Sequence, residues 1–471
     1  MPQKTRINTT KLMAFAGPAI PISALGLPLT VFIPQFFAGP MGLGLATVGT
    51  IFLIARFWDV ITDPIMGAVS DQISTKWGKR RHWIVASVPI LMLSVFMVFL
   101  PQENPSAYYL FGWMMVLYIG WTMITLSHMS WGAELDDDYN QRSRIQGFRE
   151  GFVILGVPLV MMIPVIIESF SEASDPLPQQ VAAMGIFVIV LLPLTVFLSV
   201  RTVPERARFR NTQKPVREQF EGIFRQLSFR RIKAALVPLK SNNALQRLVA
   251  ADFFSGVSGA SLGTLFLYEV RYVWEAEAWA GRFLLIYFIA GVAFVPVVLK
   301  VSYKIGKHRA LIAAASFTVI FVPFTFIVPP GQPLIVAAML VFLGINVGST
   351  SILYRAIMAD VGDLDEVETG QRRTGLFYSL LTFTQKTGAA IAVGVVFWTL
   401  DAIGFQASGE NTPEAVRGLA LIFFGIPMAC NLIVILLMWG FPIDFAKQQE
   451  LRRIIDERQV EEWEADEGHI P

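Results

Sequence analysis

Twelve apolar runs, each near the length of a bilayer crossing, decide what this chain can fold into. A hydrocarbon core about 30 Å thick takes a helix of about 20 residues. Runs of that kind cover 12–37, 47–69, 83–100, 108–133, 152–167 and 181–200. After a hydrophilic stretch they resume over 248–267, 282–301, 310–328, 334–359, 375–400 and 418–439. Lipid offers no partner for backbone N–H and C=O groups, so such segments are expected as helices. The expected fold is an all-α membrane protein with about twelve transmembrane helices in two six-helix halves. The expected division is 1–200 for the first half, 201–245 for a cytoplasmic linker, 246–440 for the second half and 441–471 for a cytoplasmic tail.

Composition agrees and excludes other classes. Charged residues make up 16% of the chain and hydrophobic ones 54%, against about 25% charged in soluble domains. Lys and Arg number 38 against 36 Asp and Glu, a net charge of +2, which lacks the basic excess of a nucleic-acid binder. The one cysteine, Cys430, lies in an apolar run, which rules out an internal disulfide and a Cys-rich metal site. His82, His128, His308 and His469 show no zinc-ligand spacing. No nucleophile–base set or phosphate loop is present, so an enzyme is not expected, and neither is a cofactor.

Basic residues set the orientation. Lys76, Lys79, Arg80 and Arg81 follow the second run, and Arg142, Arg144 and Arg149 follow the fourth. Lys300, Lys304, Lys307 and Arg309 follow the eighth, Arg372 and Arg373 the tenth, and the central loop is rich in arginine. Stretches 34–44, 101–106 and 329–333 hold no Lys or Arg. By the positive-inside rule both termini and the central loop are cytoplasmic. That loop is read as a linker with an amphipathic helix around 216–239, and the tail from 446 as a short helix or disorder. Gly78-Lys79-Arg80-Arg81 after the second run and Gly306-Lys307-His308-Arg309 after the eighth occupy equivalent places. Such parallel repeats of six helices resemble the major facilitator architecture.

Ionisable residues inside a span are costly and read as functional by default. The second span carries Arg56-x-x-Asp59-x-x-Thr62-Asp63-Pro64. Asp59 and Asp63 are one turn apart on one face, shared by Arg56. Two carboxylates side by side repel, so a dry pair needs a cation; Na+, Li+ or a proton would serve, and Thr62 could add a hydroxyl. The plainer alternative is that Arg56 neutralises one acid near the interface. Lys386 in the eleventh span needs a counter-charge, and Asp59 or Asp63 is the natural candidate. Its alternative is a lysine in a watery cavity that holds the halves together. The ends of the fourth and tenth spans carry Glu134 with Arg142, and Asp360, Asp363 and Glu366 with Arg372. These are expected to form cross-half ion pairs that hold the outward-facing state shut at the cytoplasmic face, or else to be ordinary solvated helix ends. Asp252 and Arg355 are read as snorkelling to the interface.

Several of these runs resemble one family. Arg56 through Gly67 with Ser70-Asp71 and Trp77 through Arg81, Asp360 through Lys386, and Gly132 through Arg149 are similar to signatures of the glycoside–pentoside–hexuronide:cation symporters, a melibiose-carrier-like branch of the major facilitator superfamily. The resemblance spans most of the chain. It implies uptake of a sugar, glycoside or related small solute, coupled to Na+, Li+ or H+ by alternating access, in a bacterial inner membrane and by a monomer. The partners it implies are that solute and membrane lipid. The family's cation site falls on Asp59 and Asp63, with Thr122 as the fourth-helix threonine. Its eleventh-helix lysine is Lys386 and its fifth-helix arginine Arg149. The melibiose-type sugar acids of the first and fourth helices fall near Ile22 and Thr125 instead. The first span holds no acid, so the substrate differs from melibiose, and a lipid-like or amphiphilic solute is the alternative. A sensor that lost transport is opposed by the intact Asp59, Asp63 and Lys386.

Overall fold

The computed structural model describes residues 7–73, 75, 77–136, 139–170, 175–205, 242–347, 349–370 and 373–467. Among them the helices are α1 (Thr9–Ala16), α2 (Ala19–Ala38), α3 (Leu45–Gln72), α4 (Arg81–Phe99), α5 (Ala107–Glu134), α6 (Tyr139–Phe170) and α7 (Leu177–Thr202). Then follow α8 (Asn243–Tyr268), α9 (Ala280–Ile305), α10 (Lys307–Phe321), α11 (Pro333–Gly344), α12 (Ser349–Thr369), α13 (Thr374–Ala402), α14 (Pro413–Met438) and α15 (Phe445–Glu467). Eleven spans are long and apolar enough to cross a membrane among the described residues, and the twelfth crossing is a broken one. The linker around 216–239 lies outside the described residues.

Helix ends follow local chemistry. Ser106, Asn242 and Thr412 cap α5, α8 and α14, each side chain accepting a backbone N–H of the first turn. The first span is interrupted at Gly17-Pro18: Gly17 caps α1 through its N–H to Met13 O, and Pro18 has no N–H to carry the ladder on. The tenth span departs from the sequence expectation of one helix over 334–359. It comes as α11 and α12, joined by a turn at 345–347. Two contacts hold the break. Asn346 Nδ2 donates to Ala314 O at 2.8 Å and to Thr318 Oγ1 at 3.0 Å on α10. A Cβ on Gly344 would lie 2.5 Å from Tyr287 O of α9, so α9 and α11 meet backbone to backbone. The seventh span ends in a π-helical segment, Glu269–Val273.

Two apolar clusters form the interior. The larger runs through α1–α8 and the ends of the later helices away from the C-terminus, with Phe32, Phe52, Trp131, Trp274 and Phe397 enclosed. The smaller joins Leu248, Leu353, Phe377, Met438 and Leu451 at the end bearing the C-terminus. Ile186, Val190, Leu194 and Phe197 form an exposed stripe along one face of α7. Their i, i+4 and i, i+3 spacing marks a lipid-facing surface that a water-soluble fold would have to cover. The tail is a helix: α15 lies on α12 through buried Leu451 and Ile455, and Arg452 Nε meets Asp363 Oδ2 at 2.9 Å.

Candidate cation and solute site

Asp59 and Asp63 lie on successive turns of α3, and Lys386 reaches them from α13 in the other half. Its Nζ is 2.8 Å from Asp59 Oδ2 and 2.6 Å from Asp63 Oδ2. The remaining carboxylate oxygens face α5, where the Thr122 hydroxyl lies 3.2 Å from Asp59 Oδ1 and 3.1 Å from Asp63 Oδ1. Thr62 Oγ1 donates to the Asp59 backbone carbonyl at 3.1 Å and lies 3.4 Å from Thr122 Oγ1. The site is half-closed: Asp59 is buried, while the side chains of Lys386 and Asp63 keep 28% and 24% of their surface open. An ammonium between two carboxylates, with a hydroxyl closing the group, is an oxygen-lined seat for one positive charge.

Close helix packing fixes the lysine. A Cβ on Gly256 of α8 would lie 2.7 Å from Gln385 O, and one on Gly388 of α13 2.3 Å from Phe253 O. Small residues let transmembrane helices touch at the backbone, and here the contact flanks Lys386. On the same helix pair, Thr384 Oγ1 lies 3.0 Å from Asp252 Oδ2. Asp252 is thus enclosed within the second half, where the sequence reading had it snorkelling.

Arg56 does not pair with Asp59. Its guanidinium lies over the Tyr118 ring at 5.6 Å, and its Nε is buried without a hydrogen-bond partner among the described residues. Thr125 Oγ1 on α5 is likewise buried and unpartnered. Arg149 pairs with Glu150 and donates to Gln146 Oε1 at 3.1 Å. His128 stacks on Phe15 and bonds its backbone carbonyl at 2.8 Å. The structure therefore gathers Asp59, Asp63, Thr62, Thr122 and Lys386 into one group, and leaves Arg56, Thr125 and Arg149 around it with other neighbours.

The acidic helix ends at the termini-bearing face pair within their own halves in this structure. Glu134 and Asp71 share the buried Arg80 at 2.7 and 2.6 Å. Burial alone would disfavour the Arg80 charge, but the bonds from Glu134 and Asp71 outweigh it and hold the guanidinium more firmly protonated than in water. Lys307 holds Asp360 at 2.7 Å, Arg373 holds Asp365 through two bonds, and Arg452 holds Asp363. Glu366 lies on α12 beside Asp363. Arg372 and the side chain of Arg142 lie outside the described residues.

One residue here was not foreseen. Glu205 accepts the backbone N–H groups of Lys79, Arg80 and Arg81 at 2.7, 2.8 and 3.1 Å, closing the N-terminus of α4. Gly78, at φ +120°, holds a backbone conformation that favours glycine, and a Cβ there would push on the Glu205 carboxylate. The signal in the sequence was a lone acid following the sixth run, facing a Gly-Lys-Arg-Arg turn. Links between the halves lie elsewhere: at Lys386, and at the opposite end, where Gln35 Nε2 donates to Thr264 O at 3.1 Å, Trp398 Nε1 to Thr50 Oγ1 at 3.1 Å, and Gly281 N to Glu168 Oε1 at 2.6 Å.

Residues 14–445 match the model of a family described as MFS/sugar transport protein. The glucuronide carrier protein homolog of Escherichia coli (strain K12) is 24% identical over 435 residues, covering 91% of each chain. The sodium-dependent lysophosphatidylcholine symporter 1 of Gallus gallus is 21% identical, covering 97% of this chain and 91% of its own. A solved D-xylose-proton symporter superposes with a TM-score of 0.60 at 16% identity, over 93% of this chain and 96% of that one, and shares the fold. With the family model spanning both halves and the paired acids of α3 in place, this chain belongs to the MFS/sugar transport protein family of membrane transporters.

Proposed function

We propose that the protein is a cation-coupled symporter for a sugar, glycoside or related small organic solute, working by alternating access. The observation that carries this reading is the Lys386 ammonium seated between Asp59 and Asp63. That seat fits one monovalent cation, Na+, Li+ or H+, and Lys386 occupies it as a tethered stand-in when no ion is bound. A carrier whose empty site is neutralised from within can reorient without carrying two bare carboxylates through a low-dielectric interior. An arriving cation displaces Lys386 from α3 and frees α13 from the first half.

With the basic loops cytoplasmic, the cross-half links other than Lys386 lie outside and the pairs within halves lie inside. That distribution supports an inward-facing state. Arg56, Thr125 and Arg149 lie around the group of Asp59, Asp63 and Lys386 and are the residues proposed to meet solute. The halves are proposed to divide at 201–245, and the membrane to be a bacterial inner membrane. A second reading, a lipid-like or amphiphilic solute, rests on Ile22: α2 brings no carboxylate to the cavity to hold sugar hydroxyls.

The test needs no solute. The melting temperature of the purified protein is measured in NaCl, LiCl and choline chloride at fixed ionic strength, at several pH values, with Asp59→Asn and Asp63→Asn alongside. A ligand that binds only the folded state raises stability by mass action. Saturable stabilisation by Na+ or Li+, lost in both variants, supports the site. A pH dependence that both variants flatten assigns the proton. Indifference to both removes the symport reading.

A further inference from the structure

Away from the termini, the two halves meet where α6 ends and α9 begins. Glu168, near the last turn of α6, accepts the backbone N–H of Gly281 at 2.6 Å, and Gln180 of α7 reaches the same oxygen at 3.4 Å. Next to it, Arg282 Nη2 donates to Ser169 Oγ at 3.1 Å. Gly281 is the second residue of α9, so its N–H has no partner within its own helix. A carboxylate at that position is favoured by the hydrogen bond and by the helix dipole together. The approach also demands glycine. A Cβ on Gly281 would lie 2.7 Å from Pro164 Cβ and 3.0 Å from Val165 N.

We propose that Glu168 and Gly281 form the latch that holds this end of the carrier shut, and that their separation opens the solute site on the side opposite the basic loops. The inference rests on the alternating-access reading above. The other cross-half links at this end differ in kind. Gln35–Thr264 and Trp398–Thr50 are neutral hydrogen bonds, and Asp175–Arg271, at 3.6 Å, joins two partly exposed side chains. Among the described residues, only at Glu168 does a carboxylate of one half close the helix end of the other.

Cys430 is the only natural cysteine, which makes thiol accessibility a clean readout. In a Cys430→Ser background, Val31→Cys places a thiol at a position 1% exposed, facing Gly263 of α8 across the closed seam. The full chain in detergent is treated with a charged methanethiosulfonate reagent and the modification rate is read by mass spectrometry. Glu168→Ala and Gly281→Ala are each expected to speed labelling about tenfold or more, a tenfold change corresponding to about 1.4 kcal/mol. Parental labelling rates in both alanine variants, eluting as monodisperse protein, would overturn the latch. The cation titration reads Asp59 and Asp63 separately, so the latch and the symport reading fail independently.

Discussion

Replacing Lys386 with alanine separates a tethered stand-in from a simple structural ion pair. Both carboxylate oxygens lie within 2.8 Å of one nitrogen, so they are no more than about 5 Å apart, and at an effective dielectric near 20 their repulsion is about 3 kcal/mol. Removing one partner of a buried pair costs about 3–5 kcal/mol. Lys386 keeps 28% and Asp63 24% of their side-chain surface open, so the expected loss of stability in choline chloride is smaller, about 1–3 kcal/mol. The same energy opposes an incoming cation in the parent, which must displace the ammonium. The variant is therefore expected to bind its coupling cation about 10- to 100-fold more tightly, at about 1.4 kcal/mol per tenfold. Calorimetric titration of Na+ and Li+ into parent and variant measures this, with the melting temperature in choline chloride as the stability arm. Exchange of labelled solute, which cycles a loaded carrier, is expected to persist while net uptake is lost. A Lys386→Ala protein that is folded and binds the cation no more tightly than the parent would refute the competition between ammonium and ion.

Other expectations follow from single contacts. Thr122→Ala removes the hydroxyl shared by both carboxylates and is expected to weaken cation binding about 3- to 10-fold, the worth of about 1 kcal/mol, read by the same titration. Glu205→Ala strands three backbone N–H groups and is expected to cost about 1–3 kcal/mol of stability. Gly78→Ala, strained at φ +120° and blocked by Glu205, should lower the melting temperature at least as far. On the C-terminal helix, Leu451→Ala, at a site 1% exposed, is expected to cost about 2–4 kcal/mol. Arg452→Ala, half-exposed in its pair with Asp363, should cost less than about 1 kcal/mol. Equal losses from the two would show that α15 is held by charge and not by its apolar face.

The parts legible in the sequence are those a bilayer makes local. A helix in lipid must satisfy its own backbone, so runs of apolar residues located α2–α10, α13 and α14 without any knowledge of packing. Asp59 and Asp63 were legible as a pair because the spacing of one turn is a property of α3 alone, and Lys386 as their partner because a lone charge in a span demands one. What remained hidden depends on which helix lies beside which. The break at 345–347 is flanked by Gly344 and Gly348, but it is held by contacts of Gly344 and Asn346 with α9 and α10. Glu205 and Glu168 matter because they close the ends of α4 and α9, far away in the chain. The acidic ends of α5 and α12 read equally well as pairing across the halves or within them, since that choice changes with the conformation and not with the sequence.

Charge counting carries the site one step further, to how ion and solute are linked. Asp59, Asp63, Arg56 and Lys386 sum to zero, so the empty group is neutral. A bound cation brings the sum to +1, and the displaced ammonium and the guanidinium over Tyr118 become the unpaired charges beside the cavity. Hydroxyl or carboxyl groups of a solute would then meet donors that the empty carrier keeps occupied. Linkage makes the effect reciprocal: if the cation raises solute affinity by some factor, solute raises cation affinity by the same factor. Asp63→Asn fixes the sum at +1 with no ion bound, leaving Lys386 a single carboxylate. This variant is expected to bind solute with an affinity that no longer responds to Na+ or Li+, and to lose net accumulation while keeping downhill flux. Solute titrations with and without the cation, on parent and variant, decide it. A variant whose solute affinity still rises severalfold with the cation would mean that the two ligands communicate through a path other than Lys386.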